Sequence, residues 1–591
     1  MYILGISSFY HDSGVCFLKD GEIVYASQEE RFSRIKNDSS FPTLAIVNGL
    51  EFLNITLLDI DEIVFYEKPF LKFERLISTY IINFPYGLKQ FLKSMIVWGK
   101  EKLFQRKLIN DHLNKILGPK KKKFKIKFSE HHLNHAASAF YPSNFNDAAI
   151  ITADGVGEFS TTTISHGNGE NISIKKKINY PDSLGLLYSA FTYYLGFKVN
   201  SDEYKVMGLA PYGKPNYKNT ILSSLIDVKE DGSFKLNQKY FSYSTDLVMT
   251  NKSFDNLFKN IQRVKNDPIT QEHMDLASSV QSITEDIMIL ICNHAKMVTN
   301  SDNLCLAGGV ALNCVANGKI INEKIFNKVW IQPAAGDAGG ALGAALISFY
   351  NNKKNKRKIF SSQKDLMKNS YLGSYIKNEE IELKISEKNL TFIKFEKFSD
   401  ICEKVSDDLI KSLIIGWCQG RSEFGPRALG HRSILADPRV ADMQKNLNLK
   451  IKFREGFRPF APIVMREYLE EYFELNEDSP YMLIVKKVKE NKLKKVDKIT
   501  LGFEQINQIR SEIPAVTHVD NTARIQTVTE DNKLIYPLIK KFYEKSHCPM
   551  LVNTSFNLSD EPIVNNANDA INSFLKCGLD VLILNNYYIK K

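Results

Sequence analysis

Residues 303–346 read NLCLAGGVALNCVANGKIINEKIFNKVWIQPAAGDAGGALGAAL, and this stretch decides the fold. It predicts a strand, a Gly-rich turn and a helix, and then the same three elements again. Gly-rich turns between strands and helices are typical of α/β proteins, whose ligands bind at the carboxyl ends of the strands. We therefore expect an α/β fold with a binding site near these two turns.

Residues 2–27 and 148–165 show one pattern twice. In the first segment, YILGI and GVCFL lead through a Lys-Asp-Gly turn into EIVYAS, which predicts a β-hairpin. In the second, AAIITADGVGEFSTTTIS runs from an apolar strand through an acidic, Gly-rich turn into a Thr-rich strand. We interpret the two segments as one structural theme used twice. Residues 268–300 predict a helix, because their apolar residues recur every three or four positions.

Composition and charge indicate an ordinary globular protein of two or three domains. The chain has 591 residues, of which 43% are hydrophobic and 25% charged, and its net charge is +11. This mild basic excess suits anionic substrates such as nucleotides or acyl phosphates, and weak nucleic-acid binding would fit it as well. An AT-rich genome would also explain the many Lys, Asn and Ile residues, so the charge alone does not indicate a function.

The cysteines and the apolar runs argue against several classes of protein. Eight cysteines are spread along the chain without a CxxC pair, which fits reduced thiols rather than disulfides or a zinc ribbon. The N-terminus lacks the basic and apolar regions of a signal peptide. No apolar run approaches the roughly 18–20 residues that span a bilayer. We expect a cytoplasmic protein without a membrane span.

A polar segment divides the chain. NNKKNKRK, residues 351–358, contains no apolar residue, and it predicts a linker. We place the first domain at residues 1–355, the linker at 351–375 and the second domain at 376–591.

Residues 67–127 predict a helical insertion that is rich in aromatic residues and lysines. The insertion ends in a run of four lysines at 120–123. Such a run is more often a solvated face than a surface for a partner or a membrane. The insertion and the loops at 165–180 and 215–250 are our candidates for substrate-specificity elements.

The stretch SEHHLNHAASAFYPS, residues 129–143, holds three of the eleven histidines. His131 and His135 stand four residues apart and share one face if the segment is helical, which suits two imidazoles that bind one metal ion. A histidine cap at a helix N-terminus, or ordinary surface histidines, would give the same spacing. His132 lies on another face of the helix, and we interpret it as structural.

Two carboxylates strengthen the metal hypothesis. Asp154 in ITADGVG and Asp337 in PAAGDAGG each follow a strand in a Gly-flanked turn, where open α/β sheets bind ligands. Together with two imidazoles they would form a mixed N/O site for iron, manganese or zinc. Helix capping, or binding of sugar hydroxyls by the two acids, is the alternative.

The Gly-rich turns LAGGVALN (306–313) and AAGDAGGALG (334–343) are candidate nucleotide-binding loops. Glycine lets backbone N–H groups approach a phosphate or adenosine closely, and the following helix N-terminus adds partial positive charge. Neither turn is a Walker A loop or a GxGxxG motif, so tight packing of a turn explains them equally well. Gly308, Gly309 and Asn313 are the candidate contacts in the first turn.

Residues 416–439 and 450–464 place Arg and Lys among glycines, prolines and aromatic residues without a helical period. Loops of this composition suit anion binding, since Arg makes bidentate contacts to phosphate or carboxylate. Single-stranded nucleic acid is a rival ligand, because basic and aromatic residues are interleaved. The strand end MLVNTSFNLSDEPIV (550–564) suits phosphate binding or a turn without function, and the absence of GxSxG argues against a serine hydrolase.

These motifs together resemble the O-carbamoyltransferase family, which includes nodulation-factor, tobramycin and cephamycin carbamoyltransferases. The matching pieces run in the family's order from residue 10 to residue 557. They include YHDSGVCFLKDGEIVYASQEERFSRIKND, EHHLNHAASAFYPS, TADGVGE, EYKVMGLAPYG, LAGGVALNCVANGKI, PAAGDAGGALGAAL, SEFGPRALGHRSILADPR, KFREGFRPFAPIV and VNTSFN. Each motif alone is unspecific, but the set covers nearly the whole chain.

The resemblance implies an α/β protein with an N-terminal domain of the actin-like ATPase superfamily (ASKHA) and a fused α/β YrdC-like C-terminal domain. It implies that carbamoyl phosphate and ATP, with Mg²⁺, give carbamoyl-adenylate in the YrdC-like domain. The carbamoyl group would then pass to a hydroxyl of a sugar or secondary metabolite at a metal site in the N-terminal domain. The family likeness also suggests a homodimer.

The resemblance also implies roles for individual residues. His11 and Lys36 match catalytic positions that face the transfer site. Fe²⁺, or another divalent transition metal, would be bound by His131, His135, Asp154 and Asp337. Carbamoyl phosphate, the ATP phosphates and the adenylate would be held by Arg427, Lys452, Arg458, Arg524 and Ser555.

Three other functions compete with this one. A tRNA threonylcarbamoyl-type modification enzyme would not need the fused Arg/Gly-rich domain. A hydrogenase-maturation carbamoyltransferase would add an acylphosphatase unit and CxxC motifs, which are missing here. A non-catalytic nucleotide- or RNA-binding protein would explain the basic loops but not the His/Asp quartet. We therefore expect carbamoyl phosphate, ATP and a hydroxylated acceptor as partners, and no nucleic acid.

Overall fold

The computed structural model describes residues 1–98, 104–357, 359, 365–496 and 500–591. Parts of the predicted insertion and linker, at 99–103, 358 and 360–364, lie outside the described residues. The chain forms two compact units. The first unit comprises Met1–Glu29 and Asn37–Leu366, and the second comprises Glu30–Lys36 and Met367–Lys591.

The first unit contains all strands up to residue 366. They are β1 (Tyr2–Ser7), β2 (Gly14–Lys19), β3 (Glu22–Gln28), β4 (Glu62–Phe65), β5 (Ile126–Phe128), β6 (Asp147–Ala153), β7 (Ser160–Asn168), β8 (Asn171–Asn179), β9 (Ile226–Val228), β10 (Phe234–Leu236), β11 (Asn303–Ala307) and β12 (Lys328–Ile331). The helices in this part of the chain are α1 (Glu30–Ser33), α2 (Thr43–Leu53), α3 (Pro69–Asn83), α4 (Leu88–Val97), α5 (Gln105–Leu117), α6 (His131–Phe140), α7 (Leu184–Tyr194), α8 (Glu203–Leu209), α9 (Lys218–Ser224), α10 (Lys252–Leu257), α11 (Gln271–Thr299), α12 (Cys314–Asn322) and α13 (Asp337–Tyr350).

Two five-stranded sheets of the first unit have the same topology. One has the order β3-β2-β1-β4-β5 and the other the order β8-β7-β6-β11-β12. In each sheet, the first three strands are antiparallel and the last two run parallel to the central strand. The same five-stranded topology thus occurs twice in the first unit. The predicted α/β class, and the theme used twice, are confirmed.

Two helices lie between these sheets. Helix α13 packs on β1, β2 and β4, while α6 packs on β6, β7 and β11, and the two helices also pack on each other. The small residues of DAGGALGAAL make this close approach possible. A Cβ on Gly343 of α13 would lie only 1.8 Å from the backbone oxygen of Asn134 in α6. The stretch quoted first thus brings two helices together at the centre of the unit.

Replacing Gly343 by Ala is expected to destabilise the protein by about 2–3 kcal/mol, because the new methyl group must push two packed backbones apart. Thermal or urea unfolding measures the loss. Gly456→Ala is the control, since a Cβ there would meet nothing within 4 Å. Equal stability of the Gly343→Ala and Gly456→Ala proteins would contradict the close helix contact.

The second unit is built on a nine-stranded mixed sheet in the order β14-β23-β22-β15-β17-β21-β18-β20-β19. Its strands are β13 (Tyr371–Tyr375), β14 (Phe392–Lys394), β15 (Ile415–Cys418), β16 (Arg421–Glu423), β17 (Arg432–Ala436), β18 (Ala461–Met465), β19 (Ile484–Lys487), β20 (Thr522–Val528), β21 (Met550–Ser555), β22 (Val581–Leu584) and β23 (Tyr587–Lys590). Its helices after residue 366 are α14 (Asn378–Glu387), α15 (Phe398–Ile410), α16 (Met443–Asn446), α17 (Leu469–Tyr472), α18 (Tyr536–Ser546) and α19 (Ala567–Lys576). This unit is also α/β, as predicted.

A short piece of N-terminal chain, Glu30–Lys36, belongs to the second unit. Arg31 is buried, and its Nη2 donates to the backbone oxygen of Gly425 at 2.7 Å. Arg34 donates to the backbone oxygens of Ile563 and Pro562 at 2.7 and 2.8 Å. These contacts join residues about 400 and 530 positions apart in the chain. No local pattern in the sequence predicts that this piece belongs to the second unit.

Candidate active site

Four side chains from distant parts of the first unit meet around one point. They are His131, His135, Asp154 and Asp337, whose ligand atoms all lie within 4.8 Å of one another. The Nε2 atoms of His131 and His135 lie 3.1 Å apart, and each lies 3.1 Å from Oδ2 of Asp154. Oδ1 of Asp337 lies 3.6 Å from His131 and 3.7 Å from His135. The structure thus brings together the four residues that were predicted as metal ligands.

The turn after β6 fixes the position of Asp154. Its Oδ1 accepts hydrogen bonds from the backbone N–H groups of Gly155 at 2.8 Å and Gly309 at 3.4 Å. Oδ2 therefore remains for the two imidazoles. Ser183 donates to the backbone oxygen of Asp154 at 3.0 Å and holds the turn from its other side. The predicted Gly turn after β11 lies beside Asp154, since the N–H of Gly309 contacts Oδ1 of Asp154. Gly308 in this turn has a φ of 86°, which glycine adopts without strain.

Helix α6 begins at His131, and an acid caps its N-terminus. Glu158 accepts a hydrogen bond from the backbone N–H of His131 at 3.1 Å, where the helix dipole favours a carboxylate. His131 and His135 are one turn apart, so both rings lie on the same side of the helix. Within the described residues, their Nδ1 atoms have no hydrogen-bond partner. Packing and the helix therefore orient these rings.

Asp337 is the first residue of α13, and its side chain is 2% exposed. Tyr66 donates to its Oδ2 at 3.3 Å, and Nε2 of His11 lies 3.7 Å from the same oxygen. Nδ1 of His11 lies 3.2 Å from Oδ2 of Asp12, and Asn37 donates to Oδ1 of Asp12 at 2.7 Å. His11, a predicted catalytic residue, therefore borders the His/Asp cluster.

The charges in the cluster shift the pKa values of its members. Burial alone would raise the pKa of Asp154, but hydrogen bonds from His131 and His135 hold it well below its usual value. Burial would lower the pKa of His135, but hydrogen bonds to Asp154 and Asp337 raise it to about 9. Burial would also raise the pKa of Asp337, but the charges of His11 and His131 outweigh it, and the pKa falls to about 2. In the metal-free cluster at neutral pH, both acids are therefore ionised and His135 is protonated.

The donor set fits a divalent transition metal. Bonds of about 2.0–2.2 Å to one ion place neighbouring ligand atoms about 3.0–3.5 Å apart. The contacts of 3.1, 3.6 and 3.7 Å in the cluster are close to this spacing. Two imidazole nitrogens and two carboxylate oxygens suit iron, manganese or zinc better than magnesium or calcium.

Metal binding to the cluster is expected to become tighter as the pH rises. A metal at Nε2 must displace the proton of His135, whose pKa is about 9. For one displaced proton, the affinity should rise about tenfold per pH unit between pH 6.5 and 8.5. Calorimetric titration with Zn²⁺ at several pH values measures both the affinity and the proton release. An affinity that does not change with pH would contradict this charge state.

The third histidine of the stretch has a different environment. Nδ1 of His132 lies 2.7 Å from the hydroxyl of Thr152 in β6. Burial, together with the charges of His131 and His135, lowers the pKa of His132 to about 3. His132 is a neutral, buried side chain, which agrees with the structural role expected for it.

The second unit contains a buried lysine, Lys452. Its Nζ donates to Oδ1 and the backbone oxygen of Asn557 at 2.8 and 3.1 Å, and also to the hydroxyl and backbone oxygen of Ser555. Burial and the charges of Arg454 and Arg458 lower the pKa of Lys452 well below its usual value. A bound anion would offset these unfavourable charges, so this region is suited to phosphate or carboxylate.

The loop that carries Arg427 lies on the same sheet. Gln526 of β20 donates to the backbone oxygen of Leu429 at 2.9 Å. Arg524 precedes Gln526 by two residues and therefore lies on the same face of β20. Asn553 of β21 donates to the side chain of Gln526 at 2.7 Å, a contact that crosses the intervening strand β18 on this face. The predicted anion ligands on this face and its adjoining loops are Arg427, Lys452, Arg458, Arg524 and Ser555.

Two further predicted site residues are Asn313 and Lys36. Asn313 caps α12, since its Oδ1 accepts from the backbone N–H of Ala316 at 3.1 Å, and it also bonds Gln281 at 2.9 Å. Lys36 belongs to the second unit, where its charge contributes to the lowered pKa of Lys452. The catalytic role of Lys36 that the resemblance implies stays a prediction.

Arg357, in the predicted linker, is buried and caps the C-terminus of α6. Its guanidinium donates to backbone oxygens of Phe140, Ser143 and Phe145 at 2.5–2.6 Å and of Tyr141 at 3.3 Å. A cation at this end of the helix is favoured by the helix dipole. The polar, charged segment NNKKNKRK predicts a linker. Its Arg357, however, bonds the C-terminal end of α6, the helix that carries His131 and His135.

Two family models match the chain. The Carbamoyltransferase N-terminus model matches residues 2–346, and the Carbamoyltransferase C-terminus model matches residues 406–591. The chain belongs to the carbamoyltransferase family. This carbamoyltransferase is therefore an enzyme, as its sequence predicted.

Relatives agree with the family assignment. An uncharacterized protein of Synechocystis is 49% identical over 100% of this chain and 97% of its own length. Nodulation protein NolNO of Sinorhizobium fredii is 35% identical over 99% of this chain and 80% of its own length. The 3'-hydroxymethylcephem-O-carbamoyltransferase of Streptomyces clavuligerus is 29% identical over 45% of each chain. The predicted resemblance to O-carbamoyltransferases is confirmed.

Among the described residues of this carbamoyltransferase, no helix is both long and apolar enough to cross a membrane.

Proposed function

We propose that this carbamoyltransferase uses ATP to activate carbamoyl phosphate and transfers the carbamoyl group to a hydroxyl of a saccharide or secondary metabolite. The proposal rests above all on the convergence of His131, His135, Asp154 and Asp337 within 4.8 Å in the first unit. A separate basic site around Lys452 in the second unit suits the anionic reactants.

The proposed reaction has two stages. In the first, carbamoyl phosphate, water and ATP give carbamoyl-adenylate, phosphate and pyrophosphate. In the second, the acceptor oxygen forms a bond to the carbamoyl carbon, the bond from that carbon to the AMP phosphate oxygen breaks, and the hydroxyl proton is released. The products are the O-carbamoyl acceptor and AMP.

The second unit is assigned the first stage. Carbamoyl phosphate and ATP repel each other, so their approach requires fixed positive charge. Lys452, Arg427 and Arg524 would supply that charge on and beside the sheet face of β20 and β21. Lys452 is buried among oxygen acceptors, and bound phosphates would favour its charged form. Mg²⁺ would accompany ATP, as it does in other phosphoryl-group chemistry.

The first unit is assigned the transfer to the acceptor. His131, His135, Asp154 and Asp337 would hold a divalent metal, which supplies Lewis-acid stabilisation of developing negative charge when bound. His11 lies 3.7 Å from Asp337 at the border of the cluster, and we assign it the exchange of a proton with the acceptor hydroxyl. We assign binding of the adenylate to the Gly-rich turn of Gly308 and Gly309, since this turn contacts Asp154.

ATP–pyrophosphate exchange tests this proposal without knowledge of the acceptor. Labelled pyrophosphate should enter ATP only when carbamoyl phosphate is present, because reversal of the first stage requires the carbamoyl group. Omission of carbamoyl phosphate is the control. Exchange that is equally fast without carbamoyl phosphate, or transfer to an acceptor without ATP, would rule out the adenylate route.

A further inference from the structure

The positive charge of the protein is concentrated in one segment, residues 68–127. This segment contains sixteen Lys and Arg and only three Asp and Glu, a net charge of +13, whereas the whole chain has a net charge of +11. The rest of the chain is therefore slightly acidic. We call residues 68–127 the basic segment. Neither of the two proposed sites uses its charge.

The basic segment also exposes apolar side chains. Helices α3 and α4 form a helical hairpin, in which Tyr80 stacks on Phe91 with ring centroids 4.1 Å apart. At the tip between the two helices, four large apolar side chains are between 66% and 81% exposed; they are Ile81, Ile82, Phe84 and Tyr86. Such a cluster costs free energy in water, and large exposed apolar patches mark interaction surfaces.

The outer face of α4 continues this apolar tip. Leu88, Leu92 and Ile96 are exposed and recur every four residues, so they form one stripe along the helix. Lys89 and Lys93 are exposed and follow the first two of these residues directly. An apolar stripe with lysines beside it is the pattern of helices that lie in the interface of an anionic membrane.

Further lysines extend the charge beyond the hairpin. After α5, all of the residues from Lys120 to Lys123 are exposed, and so is Lys125. Clusters of four or more basic residues beside an amphipathic helix bind anionic lipid headgroups. The run of lysines that we first interpreted as a solvated face lies beside α5, where Lys122 bonds Asn114, and it adds to the charge of the basic segment.

We propose that the helical hairpin docks the protein on an anionic lipid surface, with its apolar tip among the headgroups and its lysines on the lipid phosphates. A nucleic acid would match the charge but not the exposed aliphatic side chains, which are Ile81, Ile82, Leu88, Leu92 and Ile96. A second copy of the chain would match the apolar stripe, but it would bring two basic segments together, and like charges oppose that association. An anionic bilayer matches both features.

The hairpin is also connected to the candidate active site. Arg75 of α3 donates to the backbone oxygen of Gly157 at 2.5 Å, in the turn that follows Asp154. Lys72 lies over the ring of Tyr10, 4.9 Å from its centroid, beside His11. Docking through the tip would therefore hold the His/Asp cluster near the lipid surface.

Vesicle co-sedimentation with the full-length protein tests this proposal. Vesicles that contain phosphatidylglycerol should bind the protein at least about tenfold more tightly than vesicles of phosphatidylcholine alone, and high salt should weaken the binding. The double variants I82D/F84D and K89E/K93E should each reduce binding about tenfold or more. Met297→Asp is the matched control, because Met297 is 70% exposed on α11, outside the basic segment.

Light scattering and circular dichroism complete the test. All of the substituted side chains are exposed, so the variants should fold as the unchanged protein does. Equal binding to neutral and anionic vesicles, or unchanged binding of both double variants, would overturn the proposal. A dimer that the I82D/F84D variant loses, without vesicle binding by the unchanged protein, would show that a second copy covers the tip. Because no substrate is present, these results do not depend on the proposed reaction.

Discussion

Replacing Asp154 by Asn is expected to abolish carbamoyl transfer while ATP–pyrophosphate exchange continues at its normal rate. Oδ2 of Asp154 lies 3.1 Å from both imidazoles, so this oxygen is central to the cluster. The neutral amide of Asn would bind a transition metal poorly, and the substitution would remove a negative charge that offsets the positive charge of the metal. We expect the transfer rate to fall by about 10³-fold or more.

Asp147→Asn is the matched control for this experiment. Asp147 begins the same strand that Asp154 follows, and it also pairs with a histidine, since its Oδ2 lies 2.6 Å from Nε2 of His166. That variant should keep full activity in both assays. If Asp154→Asn stopped the exchange reaction as well, the proposed division of the two stages between the units would be wrong.

Replacing Lys452 by Met is expected to impair ATP–pyrophosphate exchange and to leave the metal site intact. ATP–pyrophosphate exchange should fall by roughly 10²–10³-fold, because the substitution removes fixed positive charge where the phosphates would bind. Met has a similar length and carries no charge, so burial of this side chain should not prevent folding. Metal binding to the His/Asp cluster should be unchanged, which calorimetry with Zn²⁺ can measure.

Lys450→Met separates the local effect from a general loss of charge. Lys450 is two residues away and exposed, so its removal changes the net charge equally but should leave exchange nearly normal. Equal rates for the Lys450→Met and Lys452→Met proteins would contradict the assignment of Lys452 to the anion site.

Local sequence patterns predicted much of the fold and the candidate metal site. Alternation of apolar residues and a Lys-Asp-Gly turn were enough for the first hairpin, which β2 and β3 form. The spacing of His131 and His135 predicted that both rings lie on one face of a helix. The Gly-flanked turns predicted that Asp154 and Asp337 lie at strand ends. These signals are local, so each can be recognised without knowledge of the tertiary structure.

Contacts between distant segments could not be predicted in this way. Arg31 looks like an ordinary charged residue in QEERFSRIKND, yet it is buried in the second unit and bonds Gly425. Arg357 belongs to a strongly polar run, and only the fold places it at the carbonyl end of α6. Nothing in the local pattern distinguishes such an arginine from a solvated one, because its partners are backbone oxygens that any sequence would offer.

The proposed transfer step requires that four side chains of the first unit hold one divalent metal ion. Anomalous diffraction from crystals of the metal-loaded protein can locate this ion. We predict a single strong peak about 2.0–2.3 Å from Nε2 of His131, Nε2 of His135 and a carboxylate oxygen each of Asp154 and Asp337. Metal bound elsewhere, with no peak among these four residues in protein that transfers carbamoyl groups, would contradict the account.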